Sequence, residues 1–147
     1  MKHPAYLTDG KTNPHECEVW SHFETGACAD ETITPTLATG HDYTNAYEQD
    51  VVVRKCQVRI GTAGSDYKLK VDFKDGSTVI ATRTLTSTET AVATVYDVPL
   101  VSAQRHRQID PYDQITIVTD VTDEGGGTAP QSCTYDCFVS AFDPAID

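Results

Sequence analysis

The sequence predicts an all-β fold: an antiparallel β-sandwich or jelly-roll-like domain with an extended irregular N-terminal arm. Three observations predict it. From Asp50 onward apolar residues recur at every second position, the period of a strand with one buried face. Connections containing Gly, Pro and Asp divide these runs roughly every 8–12 residues, the spacing of sandwiches and barrels. No segment carries an apolar stripe of helical period. At 147 residues the chain suits one domain that buries roughly 70% of its unfolded surface.

The elements follow in order. Residues 1–49 hold four of the five histidines, three of the seven prolines and the single Trp, with little periodicity. They are expected to form the arm, making few contacts with the core, and residues 50–147 the sandwich. In the first strand Val52, Cys56, Val58 and Ile60 are expected on one face and Lys55, Gln57 and Arg59 on the other. YKLKVDFK alternates most clearly, with Tyr67, Leu69, Val71 and Phe73 inward. Asp75-Gly76 supplies a tight turn, because both residues tolerate positive φ, and TVIATRTL returns as the paired strand. AVATVYDVPL, QITIVTDV and CTYDCFVSAF complete the set, joined through IDPYD and the loop DEGGGTAPQ.

Charge narrows the partners. A net charge of −11 and a pI near 4.6 argue against nucleic acid and anionic membranes, both of which require clustered Lys and Arg. The N-terminal MKHPAYLTDGKTNPHE has no apolar run of signal-peptide length, and no stretch of about 18 apolar residues could span a bilayer. Cytosolic synthesis is expected. No GxSxG, P-loop, HExxH or GxGxxG pattern occurs, so neither an enzyme nor a cofactor is expected.

Five cysteines, Cys17, Cys28, Cys56, Cys133 and Cys137, are many for a reducing compartment, and an odd number cannot all pair within one chain. On a strand, Cys133 and Cys137 of SCTYDC share a face about 13 Å apart, too far to bond each other. Each is either a small buried hydrophobe or the partner of another cysteine, in this chain or a neighbour. His15, Cys17, His22 and Cys28 offer four possible zinc ligands in fourteen residues, but their spacing matches no finger, and an arm with scattered polar side chains is the plainer reading. Asp120, Asp123 and Glu124 could ligate calcium, though without EF-hand spacing they read as a solvated loop. Arg105-His106-Arg107 is a basic island, suited to an acidic partner or simply to solvent.

From about Val51 to Phe142 the order of features is distinctive: a strand ending at Gly61, an alternating strand into Asp75-Gly76, a Thr-rich return, Val98-Pro99, then Asp113-Gln114-Ile115-Thr116-Ile117 and a Gly-rich loop before the last strand. It resembles the capsid decoration, or cement, proteins of tailed phages. The resemblance implies a non-enzymatic protein on the capsid exterior, binding the major capsid protein and copies of itself as dimers or trimers, with the arm reaching across capsomer boundaries. A virion protein moves from a reducing cytosol to an oxidising medium, so assembly could bring cysteines together to bond. On that view an arm cysteine, Cys17 or Cys28, joins Cys133 or Cys137 of another chain. The alternative is a receptor- or carbohydrate-binding module of a fibre or surface protein, which requires exposed aromatics along a groove.

Overall fold

The computed structural model describes residues 17–147. Nine strands follow in chain order: β1 (Glu18–Ala27), β2 (Glu31–Ile33), β3 (Val51–Arg59), β4 (Ser65–Asp75), β5 (Thr78–Leu85), β6 (Val95–Val98), β7 (Gln108–Ile109), β8 (Ile115–Thr128) and β9 (Gln131–Ala141). Among the described residues the helical content is a single turn at Ser87–Thr90 and two short 3-10 turns. Thr86 caps the first of these, accepting from the Glu89 N–H while the Glu89 carboxylate accepts from the Thr86 N–H.

Two sheets form. One runs β1-β9-β3-β6, with β7 also on β3, and the other β2-β8-β4-β5. Every pair is antiparallel. The pairing is nested: β1 with β9, β2 with β8, β3 with β6 and β7, and β4 with β5. A long antiparallel ribbon wrapped in this way is a jelly roll, so the expected fold class is observed. Inward side chains of both sheets meet in one core, with Trp20, Tyr43, Phe73 and Tyr135 its largest members.

The alternation of β4 and β9 is as expected. Leu69, Val71 and Phe73 are buried from one strand, and Cys133, Tyr135, Cys137 and Val139 from the other. Only Gly76 and Ser77 lie between the paired Asp75 and Thr78, with Gly76 at φ +59°.

Four expectations are corrected. The described residues before Asp50 are not an arm: β1 is an edge strand of the first sheet, β2 of the second, and Trp20 and Tyr43 are wholly buried in the core. Residues 1–16 lie outside the described part. In β3 the register slips between Val53 and Lys55, and this bulge at Arg54 reverses the parity. Val51 and Val53 therefore join Cys56, Val58 and Ile60 in the core cluster, and Val52 is buried elsewhere. Of AVATVYDVPL only Val95–Val98 is strand, because the helical turn and its exit occupy the residues before it.

The fourth correction is DEGGG, which belongs to β8 rather than to a loop. Ser65 pairs with Thr128 and Tyr67 with Asp123, so the extra residues bulge out of β8. Gly127 is required there, since a Cβ would stand 2.0 Å from the Ser65 carbonyl oxygen.

Candidate functional site

Strand β9 is central to the first sheet and carries a ladder of thiols. Cys133 and Cys137 both point inward, and each meets a different partner. Antiparallel register sets Cys137 opposite Cys56 of β3, both fully enclosed. Burial pushes the Cys56 thiol well up, and the neighbouring Cys137 adds to the shift. Cys133 meets Cys28, which follows β1 and is held by its N–H on the Pro130 carbonyl. Their sulfurs stand 3.4 Å apart, with the Tyr135 hydroxyl 4.0 Å from Cys28 Sγ. Cys28 and Cys133 thus approach each other within one chain.

The remaining candidate ligands are not drawn together. His22 is buried, with Nε2 2.8 Å from Glu24 Oε2 and Nδ1 2.7 Å from Thr39 Oγ1, so both ring nitrogens are engaged. Cys28 faces Cys133, Cys17 is exposed at the start of β1, and His15 lies outside the described residues. Among the described residues no group of three metal-ligating side chains forms. Of the calcium candidates, Asp123 accepts from the N–H groups of Gly125 and Gly126, which hold its carboxyl below the usual range. Glu124 pairs with Lys68 at 3.3 Å, and Asp120 sits against Asp30, whose hydrogen bond and charge raise its pKa.

The basic triplet divides. Arg107 donates to Asp75 and Gln104, whereas Arg105 and His106 line a groove of about 680 Å³ with Arg54, Lys55 and Asp97. Arg54 is a fixed wall of that groove. The bulge aims its guanidinium at Asp147, 2.5 and 2.9 Å away, at the Ser140 hydroxyl and at the Ala141 carbonyl. Asp147 also accepts from the Asp143 N–H and lies 3.2 Å from His106. Burial opposes its ionisation, but Arg54, the Asp143 amide and His106 together hold the carboxyl well below the ordinary range.

The outward face of the first sheet went unnoticed in the sequence. Cross-strand register aligns Val19, Phe138 and Lys55 in one row, Ser21, Asp136 and Gln57 in the next, and Phe23, Thr134 and Arg59 in a third. The middle row is locked, Ser21 Oγ donating to one Asp136 oxygen at 2.6 Å and Gln57 Nε2 to the other at 2.8 Å. The outer rows leave Val19 45% and Phe23 42% exposed, with the Lys55 ammonium 5.8 Å from the centre of the Phe138 ring. Two exposed apolar side chains thus stand on an edge strand, separated by the polar middle row, with Lys55 and Arg59 two strands away on β3. The missed signal was Val19 and Phe23, which bracket Trp20 and His22 in opposite phase.

No protein-family model matches the chain, and no curated protein matches it in sequence. Among solved structures it is similar to a chain of the cyanophage Pam1 capsid asymmetric unit, at 9% identity over 86% of this chain and 84% of that one, with a TM-score of 0.47. It is also similar to a chain of Desmodium yellow mottle tymovirus (13% identity, 96% and 88% covered, TM-score 0.40). Turnip yellow mosaic virus gives 9% identity, 88% and 82% covered, and a TM-score of 0.39. The strand order by itself defines the class as a jelly-roll domain.

Proposed function

We propose that the chain is a non-enzymatic structural protein of a virion, a capsid decoration protein that binds the major capsid protein and copies of itself on the shell exterior. The observation that carries this reading is the outward face of the first sheet, where edge strand β1 exposes Val19 opposite Phe138 and Phe23 opposite Thr134. Jelly rolls serve in capsids and in lectins, so the strand order alone does not choose. The sequence resemblance favours the capsid. Copies joined as an oligomer gain avidity, since each bound copy holds its linked neighbours at high effective concentration near the shell.

The test is electron cryo-microscopy of native particles with the wild-type chain and with Val19→Asp/Phe23→Asp. Both side chains are exposed, so the double variant is expected to keep its strand-type circular dichroism while losing at least about tenfold in particle occupancy. Normal decoration by the variant, or absence of the wild-type chain from particles, overturns the reading.

A further inference from the structure

We propose that Cys28 and Cys133 are a redox-active pair which a small-molecule disulfide oxidises to an intrachain bond, locking the β1–β2 connection onto β9. The inference stands independently of any capsid. Four observations carry it. The two sulfurs already lie 3.4 Å apart, against ~2.05 Å in a disulfide. The backbone on both sides is fixed, by Ala27 in register with Gln131 and by the Cys28 N–H on Pro130. Cys28 is half-buried and reachable, whereas Cys133 is enclosed. Finally, Cys28 lies where the chain leaves the first sheet for the second, so the bond would close one edge of the sandwich.

The environment divides the roles of the two thiols. A hydrogen bond from Cys133 lowers the Cys28 pKa, with support from Tyr135, against the opposing effects of burial, Glu31 and Glu24. The same hydrogen bond, together with burial, raises Cys133. Cys28, the reachable one of the two, is the attacking thiol, and Cys133, enclosed behind it, the resolving thiol, in keeping with the direction of these shifts.

With oxidised glutathione as oxidant, Cys28 Sγ attacks one sulfur, the glutathione S–S bond breaks, and one glutathione leaves and takes up the proton that Cys28 gave up. Cys133 Sγ then attacks Cys28 Sγ, the mixed disulfide breaks, and the second glutathione departs with the Cys133 proton. Two protein thiols lose two electrons, and one glutathione disulfide becomes two thiols. Cys56 and Cys137, though adjacent, are enclosed on both sides and present no such entry.

The experiment treats the reduced full-length chain with oxidised glutathione, quenches with an alkylating agent, and maps peptides by mass under non-reducing conditions. The expected result is one Cys28–Cys133 linked peptide per monomer, two thiols lost, and a midpoint raised by roughly 10 °C over the reduced protein, since the bond closes a separation of 105 residues. Cys133→Ser should trap a glutathione adduct on Cys28, whereas Cys28→Ser should leave Cys133 unmodified. Peptide mapping of the wild-type chain decides the pairing even if either variant fails to fold. A Cys56–Cys137 link, an interchain Cys28 dimer on a non-reducing gel, or no loss of thiols overturns the proposal.

Discussion

His41 lies flat on Trp20, ring centres 4.8 Å apart and planes 8° from parallel, under the part of the core that Tyr43 completes. Its Nδ1 accepts the Tyr43 N–H at 2.8 Å, a bond that requires that nitrogen to be unprotonated. Burial accordingly lowers the His41 pKa, against the pull of Asp42 and Glu18, whose carboxylates stand 3.5 and 3.9 Å away. The unfolded chain takes up this proton first, at about pH 6.5. Stability from this group is therefore complete above that pH and is lost as pH falls through the lower folded value. A thermal-melt series from pH 8 to 5 should show a falling midpoint, and His41→Phe should flatten that slope while lowering the plateau through the orphaned Tyr43 N–H. An unchanged slope in the variant would assign the pH dependence elsewhere. Tyr43 itself sits at φ +56°, a costly conformation for a bulky residue. It is held there by its hydroxyl on the Tyr135 carbonyl and by its own carbonyl on the Ile115 N–H.

At the scale of elements, the bulge in β3 changes the most. One extra residue turns Arg54 away from the alternation and into the turn Asp143–Asp147, tying the last residues to β3. Arg54 caps the Asp147 carboxylate together with His106 and the Asp143 N–H, and removing it breaks four hydrogen bonds. Arg54→Ala is expected to cost about 1–3 kcal/mol, measured by urea unfolding, whereas Lys55→Ala, whose ion pair with Asp97 is exposed, should cost less than about 0.5 kcal/mol. Because the Asp147 pKa is depressed in the folded state, its contribution is present above the ordinary value near pH 4 and fades as pH falls below it. Equal losses from both substitutions would show that the clamp carries no special weight. The Gly-rich bulge of β8 gives a second case: Gly127→Ala drives a methyl into the Ser65 carbonyl and should cost about 1–3 kcal/mol.

The whole molecule is closed at both edges by chain that passes from one sheet to the other. At one edge the β1–β2 connection is held by the Cys28 N–H on Pro130, by the Thr119 hydroxyl on the Ala29 carbonyl and by the Val121 N–H on Asp30. At the other, residues after β6 reach β5, with the Thr82 N–H on Pro99 and the Val101 N–H on the Ile80 carbonyl. Such nested, long-range pairing makes the first strands as necessary as the last. Removing residues 17–40 deletes Trp20, β1 and β2, one edge strand of each sheet, and the truncated chain is expected to lose its cooperative melt and strand-type circular dichroism. A truncated chain that still melts cooperatively would return these residues to the status of an arm.

The sequence by itself determined the fold class and its clearest hairpin. In YKLKVDFK every second side chain is large and apolar, the intervening ones are charged, and Asp75-Gly76 meets the demand for positive φ locally, so no distant contact is needed to read it. SCTYDC likewise showed that its two cysteines share a face and cannot bond each other. Strand β1 could not be read this way. Its inward positions are Trp20 and the polar His22, which becomes buriable only because Glu24 and Thr39 supply partners, while its apolar Val19 and Phe23 face outward. The bulge at Arg54 was equally hidden, since an extra residue is defined by the strand it opposes and not by its own identity. Which thiol meets which is a matter of register between strands far apart in the chain. Only the tertiary structure, setting Cys28 against Cys133 and Cys56 against Cys137, could decide it.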